Sequence, residues 1–152
     1  MKTAFLWQRI YDCRLLVVGL ESGFINLKLE IENRKLIMDR PRIIERPWGR
    51  YREYARNEPC TVWIVEMKPG QAGSLQYHEN FDELWVMLTD GGQVQIADEV
   101  RQVRAGDEIF IPRRTKHRLS NHGDGLLRMM EVVYGQMSDE DKVRYEDKYG
   151  RA

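Results

Sequence analysis

The sequence predicts an all-β chain of the jelly-roll or sandwich class, and three features point there. Short runs in which apolar and polar residues alternate recur from residue 51 onward, turns rich in glycine, proline and aspartate separate them, and no stretch holds a helical period for long. The end of the chain differs, because Ser138 precedes Asp139, Glu140 and Asp141. A serine cap followed by acids in the first turn predicts a short C-terminal helix.

Residues 1–44 are expected to be an N-terminal extension, either poorly ordered or carrying a hairpin in which the alternating run 24–31 turns at 32–35 onto 36–38. The strand pattern then sets in. Pro47 and Gly49 bracket Trp48, 51–54 reads as a strand, Asn57, Glu58 and Pro59 as a turn, and 61–67 as a strand ended by Pro69 and Gly70. The segment that holds 76–78 and 83–88 is expected to form a hairpin with Asp90, Gly91 and Gly92 as its turn, since glycine permits the positive φ that tight turns require. Residues 93–97 and 99–103 make the next pair. Ala105, Gly106 and Asp107 then turn into 108–112, followed by strands over 116–120 and 126–134.

Composition narrows the class. At 152 residues and 42% hydrophobic, the chain is one domain long and able to bury a core. Lys and Arg balance Asp and Glu at 24 each, so no global field favours nucleic acid or an acidic membrane, and any anion site has to be local. Cys13 and Cys60 lack metal-type spacing and read as reduced thiols. Arg9, Asp12 and Arg14 interrupt what would be the apolar core of a signal peptide, and no apolar run approaches the ~20 residues of a membrane span. A cytoplasmic protein is expected.

Four side chains point to one chemistry. Gln76 and His78 sit two apart in a strand and leave on the same face, Glu83 opens the next alternating run, and His117 arrives from a distant strand. One amide oxygen, two imidazoles and one carboxylate suit one divalent ion of the borderline kind, namely zinc, manganese, cobalt or iron(II), and the set lacks the thiolates of a structural zinc site. Around His117 stand Arg113, Arg114, Lys116 and Arg118. This cluster reads either as a solvated turn or as anion contacts, arginine by its bidentate fork and lysine as a point charge. Strand alternation turns Lys116 and Arg118 away from the face of His117, whereas Trp85 shares the face of Glu83, where core packing competes with walling a ligand pocket. His122, beside Gly123, reads as a turn residue.

The spacings resemble the two cupin motifs. G-x5-[H/Q]-x-H-x4-E runs from Gly70 to Glu83, and G-x5-P-x-G-x2-H-x3-N from Gly106 to Asn121. A closer likeness, over about residues 45–151, is to the cupin domain of type II mannose-6-phosphate isomerases. It is carried by Arg46, Pro47, Trp48 and Gly49, by Lys68, Pro69 and Gly70 with Ser74, Leu75, Gln76 and His78, by 115–119 with Asn121, and by Val143, Arg144, Glu146, Asp147, Tyr149, Gly150 and Arg151.

The resemblance implies a cupin double-stranded β-helix, a jelly-roll barrel, over residues 45–152, and an enzyme interconverting mannose 6-phosphate and fructose 6-phosphate for GDP-mannose and polysaccharide biosynthesis. Aldose–ketose isomerisation needs a Lewis acid for the carbonyl, a base to carry the proton and cations for the phosphate. A metal on Gln76, His78, Glu83 and His117 would supply the first, and Glu108, Lys68 or a metal-bound water are the candidate bases. Lys116, Arg113 and Arg118 are the candidate phosphate contacts, with Trp85 against the sugar. Arg144, Glu146 and Arg151 match the family's closing motif and are expected to pin the C-terminal segment, with Arg144 or Arg151 a further phosphate candidate. Expected partners are a sugar phosphate, a second copy of the chain, since jelly-roll edges need covering, and a separate guanylyltransferase; neither nucleic acid nor membrane is expected. The alternatives are a non-catalytic sugar-phosphate-binding cupin and another metal-cupin enzyme such as a dioxygenase.

The chain departs from the family pattern in four places. Glu79, Asn80, Phe81 and Asp82 stand where the family carries His and Arg before the glutamate, Arg114 replaces the glycine of the P-x-G turn, and Asp90 stands where the first motif closes on glycine. No glycine-rich nucleotide loop is present, and the nucleotidyltransferase domain to which such cupins are often fused is absent from these 152 residues.

Overall fold

The computed structural model describes residues 40–151, and the hairpin expected within 24–38 lies outside them. The strands, in chain order, are β1 (Arg42–Arg46), β2 (Gly49–Glu53), β3 (Cys60–Met67), β4 (Leu75–His78), β5 (Asp82–Met87), β6 (Gly92–Ile96), β7 (Glu99–Val103), β8 (Glu108–Ile111), β9 (His117–Asn121), β10 (Leu127–Tyr134) and β11 (Lys142–Glu146). β1 begins ahead of the boundary expected between 44 and 45 and pairs with β2 as an antiparallel ribbon. The remaining strands form a four-stranded sheet in the order β3-β10-β5-β8 and a five-stranded sheet in the order β11-β4-β9-β6-β7. From β3 onward the chain changes sheet at every step except the β6–β7 hairpin, so each sheet holds strands far apart in sequence. This is the jelly-roll predicted.

Apolar alternation builds the interior. One cluster takes Trp85 and Met87 from β5, Val94 and Val103 from β6 and β7, Ile109 and Ile111 from β8, Leu119 from β9, and Leu127 and Met129 from β10. It thus draws on both sheets and closes them over a shared core. β5 is buried along its whole length because β10 and β8 take its two edges. Those pairings exclude the expected hairpin at Asp90–Gly92: β5 and β6 lie in different sheets, and the segment between them is a corner. Gly91 has φ 92° there, and a Cβ on it would meet the Gly123 Cα at 2.9 Å, so glycine is required by space as well as by conformation.

The closing helix is also replaced. Ser138 does cap a turn, its Oγ accepting from the Glu140 N–H at 3.2 Å, but the turn is a single 3-10 turn at Asp139–Asp141. The chain then extends as β11, which pairs with β4 from Lys142↔His78 to Glu146↔Leu75. Tertiary pairing overrides the cap because Lys142, Val143, Arg144 and Tyr145 alternate with period two and the outer edge of β4 is otherwise open.

Two local devices hold the corners. Asn121 is buried, and its Nδ2 donates to the carbonyls of Met67 and Gly125, both at 2.8 Å, while its Oδ1 accepts from the Gly123 N–H at 2.9 Å. Arg114, in the place of the family's glycine, has φ 64°, the left-handed region that costs an L residue ~1–2 kcal/mol. Its N–H donates to the His78 carbonyl at 2.7 Å, which fixes the turn next to the site. Among the described residues no helix is long and apolar enough to cross a membrane, and Cys60 is a free thiol.

Substitution Asn121→Ala is expected to cost about 2–4 kcal/mol in urea unfolding, since it strands two carbonyls and an N–H at once. By contrast Arg114→Gly is expected to gain about 0.5–1 kcal/mol, the relief of left-handed strain exceeding the added entropy of the unfolded glycine. A stability loss on Arg114→Gly would mean that the exposed side chain, not the backbone, sets the turn.

Candidate functional site

The two sheets enclose a cavity of about 400 Å³. β4 carries Gln76 and His78 on its inner face, β5 begins with Asp82 outward and Glu83 inward, and β9 opens on His117, whose register partner is Gln76. His78, Glu83 and His117 are 3%, 2% and 2% exposed and each offers a ligand atom within 4.8 Å of the others. His78 Nε2 lies 3.1 Å from Glu83 Oε1, and His117 Nε2 lies 3.4 Å from Glu83 Oε2.

The histidine rings are fixed from behind. His117 Nδ1 donates to the Thr115 carbonyl at 2.9 Å, which leaves Nε2 without a hydrogen and pointing at Glu83. Two lone pairs therefore face each other across 3.4 Å, an arrangement that a cation between them relieves. Phe81 stacks on His78 with ring centroids 4.2 Å apart, and Trp85 meets His117 edge-on at 5.3 Å. Burial drives both imidazoles toward the neutral form: His78 falls to about 4, burial first and the charge of Lys142 next, and His117 is lowered by burial as well. Neutral imidazoles are what a metal requires. Gln76 stands beside them with its Oε1 accepting from Ser74 Oγ at 2.6 Å and its Nε2 3.3 Å from His78 Nε2, so its amide has to turn over to offer oxygen.

The buried side-chain atoms without a hydrogen-bond partner, among the described residues, belong to His78, Glu83, Trp85, His117, Arg118 and Arg144. Every one of these residues lines this cavity. A folded interior pairs its polar atoms, and an exception gathered at one place marks a site built for something else.

Glu131 was not among the residues singled out from the sequence. It faces inward from β10 opposite Trp85, and is pushed up to about 8 by burial and then by the adjacent Glu83 charge. The signal for it is an acid on the apolar face of the run 127–134, where Leu127, Met129 and Val133 are its neighbours at period two. Lys142 and Arg144 also line the cavity, turned inward from β11.

Several residues named from the sequence are not brought to this place. Glu108 lies on the opposite face of the four-stranded sheet, accepting from Tyr54 Oη at 2.9 Å and from Arg52. Lys68 is exposed beyond the end of β3. Arg113 pairs with the buried Asp82, its backbone N–H donating to Asp82 Oδ1 at 2.7 Å. Lys116 lies over the Tyr145 ring, 3.9 Å from its centroid, and Arg118 borders the cavity while pairing with Glu146. Trp85 is at once core and cavity wall.

The departures from the family pattern compensate one another. Glu79 pairs with Arg114 at 2.8 Å, Asn80 Nδ2 donates to Asp141 Oδ1 at 2.6 Å, Phe81 stacks on His78, and Asp82 holds Arg113. The charges and polar groups of this segment are thus spent on anchors to the turn at 113–114 and to the 3-10 turn that precedes β11.

Residues 32–147 match the family described as mannose-6-phosphate isomerase C-terminal. A mannose-1-phosphate guanylyltransferase of Salmonella montevideo is 34% identical over 82% of this chain, and the xanthan biosynthesis protein XanB of Xanthomonas campestris pv. campestris (strain B100) is 35% identical over 72%. The chain spans only 26% and 24% of those relatives' lengths. Among solved structures, a Klebsiella pneumoniae protein with a double-stranded β-helix domain superposes with a TM-score of 0.53 at 17% identity, covering 61% of this chain and 80% of the other. That likeness concerns the fold alone.

Three pKa shifts at the cavity set a pH profile for the metal-free protein. His78 and His117 lie below their ordinary 6.5 and Glu131 above its ordinary 4.5. Between 4.5 and 6.5 the histidine slopes oppose that of Glu131. Above 6.5 only Glu131 acts: the folded chain keeps a proton that the unfolded chain has lost, so stability falls as pH rises toward 8, by at most ~1.4 kcal/mol per unit. The melting temperature of the metal-free protein is expected to drop between pH 6.5 and 8, and Glu131→Gln to flatten that interval. Equal slopes in the two proteins would show that Glu131 is ionised.

Proposed function

This chain belongs to the mannose-6-phosphate isomerase C-terminal family, and from that premise we propose that it is a metal-dependent isomerase interconverting mannose 6-phosphate and fructose 6-phosphate. The observation that carries the reading is the convergence of unpartnered buried polar atoms on one cavity beside His78, Glu83 and His117. The donor set fits a divalent ion, two neutral imidazoles and a carboxylate with lone pairs turned inward and no thiolate. His78, Glu83 and His117 would hold zinc, manganese, cobalt or iron(II), with Gln76 joining once its amide turns. Bound there, the ion supplies Lewis acidity toward the oxygens on C1 and C2 of the sugar.

The chain's own residues do the rest. Isomerisation moves one proton between C1 and C2, and the carboxyl group at hand is Glu131, in place of Glu108 and Lys68. Trp85 offers an apolar wall and an N–H to the sugar. Thr115 keeps His117 in the tautomer with Nε2 bare. The product serves the supply of activated mannose for polysaccharide, a role supported by relatives named as a mannose-1-phosphate guanylyltransferase and a xanthan biosynthesis protein.

A second reading, a sugar-phosphate-binding module without turnover, is favoured by segment 79–82, whose charges are spent on local anchors. One assay separates the two: fructose 6-phosphate formation from mannose 6-phosphate by metal-loaded and chelated protein. Activity is expected with metal and not with chelator. His117→Ala is expected to abolish both metal uptake and activity, and Glu131→Gln to lower kcat about 100-fold with metal content unchanged. No turnover with any divalent ion would overturn the isomerase and leave the binding module.

A further inference from the structure

β11 is built inside out. Its charged Lys142 and Arg144 are half-buried, while its apolar Val143 and Tyr145 are 38% and 51% exposed. Register fixes the orientation: Lys142 is paired with His78 and Arg144 with Gln76, so both cations share the inner face of the sheet with those two residues. Both line the cavity, and Arg144 Nε is buried without a partner. A bulge follows at once, Arg144 opposing Gln76 and Glu146 opposing Leu75, with Tyr145 the extra residue. Bulges of this kind re-aim a side chain.

The other cations on the cavity wall are differently engaged. Arg118 pairs with Glu146, and Arg151 Nη2 pairs with Asp147 Oδ1 at 2.6 Å. Asp139 also lines the cavity and adds a negative charge at its wall. Among the described residues, Lys142 and Arg144 face the cavity with no carboxylate paired to either in an ion pair. Half-burying two cations with no ion-pair partner gives up part of their hydration, and an anion supplied from outside offsets that loss.

We propose that Lys142 and Arg144, which stand across from His78 and Gln76 on the inner face of the sheet, form the anion site of the cavity, here called its anion end, and bind the phosphate monoester of a phosphorylated sugar. The identity of the sugar rests on the isomerase reading; the anion end rests on β11. Arginine gives the phosphate two parallel N–H donors and lysine a point charge. The candidates named from the basic turn, Arg113 and Lys116, are not part of this end, being held by Asp82 and the Tyr145 ring. The strand that replaced the expected helix thus sets which ligands enter.

The test is titration calorimetry of mannose 6-phosphate, free mannose and inorganic phosphate into the full chain under chelation, so that neither metal nor turnover contributes. Wild type is expected to bind mannose 6-phosphate at least tenfold more tightly than mannose. Arg144→Gln and Lys142→Gln are each expected to weaken mannose 6-phosphate at least tenfold and mannose less than twofold, with Lys116→Gln unchanged. Arg144→Lys is expected to fall between Arg144→Gln and wild type. Should Arg144→Gln fail to fold, Lys142→Gln carries the test alone. Unchanged affinity in the variants, an equal loss in Lys116→Gln, or no preference of wild type for the phosphorylated sugar would each overturn the proposal. Turnover of free mannose as readily as the phosphate would sink the anion end and spare the isomerase. Binding that depends on Arg144 and Lys142 without turnover would do the reverse.

Discussion

Everything around the cavity follows from the cost of keeping a carboxylate between two imidazoles inside an apolar barrel. Glu83, His78 and His117 are almost wholly removed from water, and the bare Nε2 of His117 faces Glu83 Oε2 at 3.4 Å. Such an arrangement persists only if the surrounding frame over-determines it. The frame does so: Glu83 sits on a strand with both edges occupied, Thr115 holds one ring by its Nδ1, and Phe81 packs against the other. Packing thus holds together lone pairs that repel one another.

The same constraint explains the secondary features. Burial that keeps the imidazoles neutral also keeps Glu131 protonated, because a second negative charge beside Glu83 would have no compensation. Lys142 and Arg144 then bring positive charge to the wall from the opposite sheet. Register sets these cations directly beside the candidate ligands, Lys142 across from His78 and Arg144 across from Gln76. Segment 79–82 ties these parts together, since Asn80 holds Asp141 at the turn that launches β11, and Phe81 touches His78.

Much of this was legible from the chain. The alternation of 61–67, 83–88 and 126–134 specifies strands, and the spacing of Gln76, His78, Glu83 and His117 specifies a shared site; that Arg114 keeps the left-handed conformation, φ 64°, in the glycine's place is seen only in the structure. The errors share one cause. Ser138 with its acids is a local signal, and it gave one 3-10 turn before the open edge of β4 claimed the chain; Asp90–Gly92 is a turn signal, and it gave a corner between sheets. The sequence neighbours of Glu108 and of the basic turn do not disclose their partners, since Arg52, Tyr54, Asp82 and Tyr145 come from elsewhere in the chain.

The sequence by itself determined the strand class, the turn chemistry and the donor types of the site, because alternation, positive φ and ligand spacing are properties of a few consecutive residues. Tertiary structure alone decided which strands became neighbours, which way β11 faces, and that Glu131, Lys142 and Arg144 meet at the cavity. A strand's period fixes two faces without saying which is inward. That choice is made by the register with its partner, and here the partner of 142–146 is a strand more than sixty residues earlier in the chain.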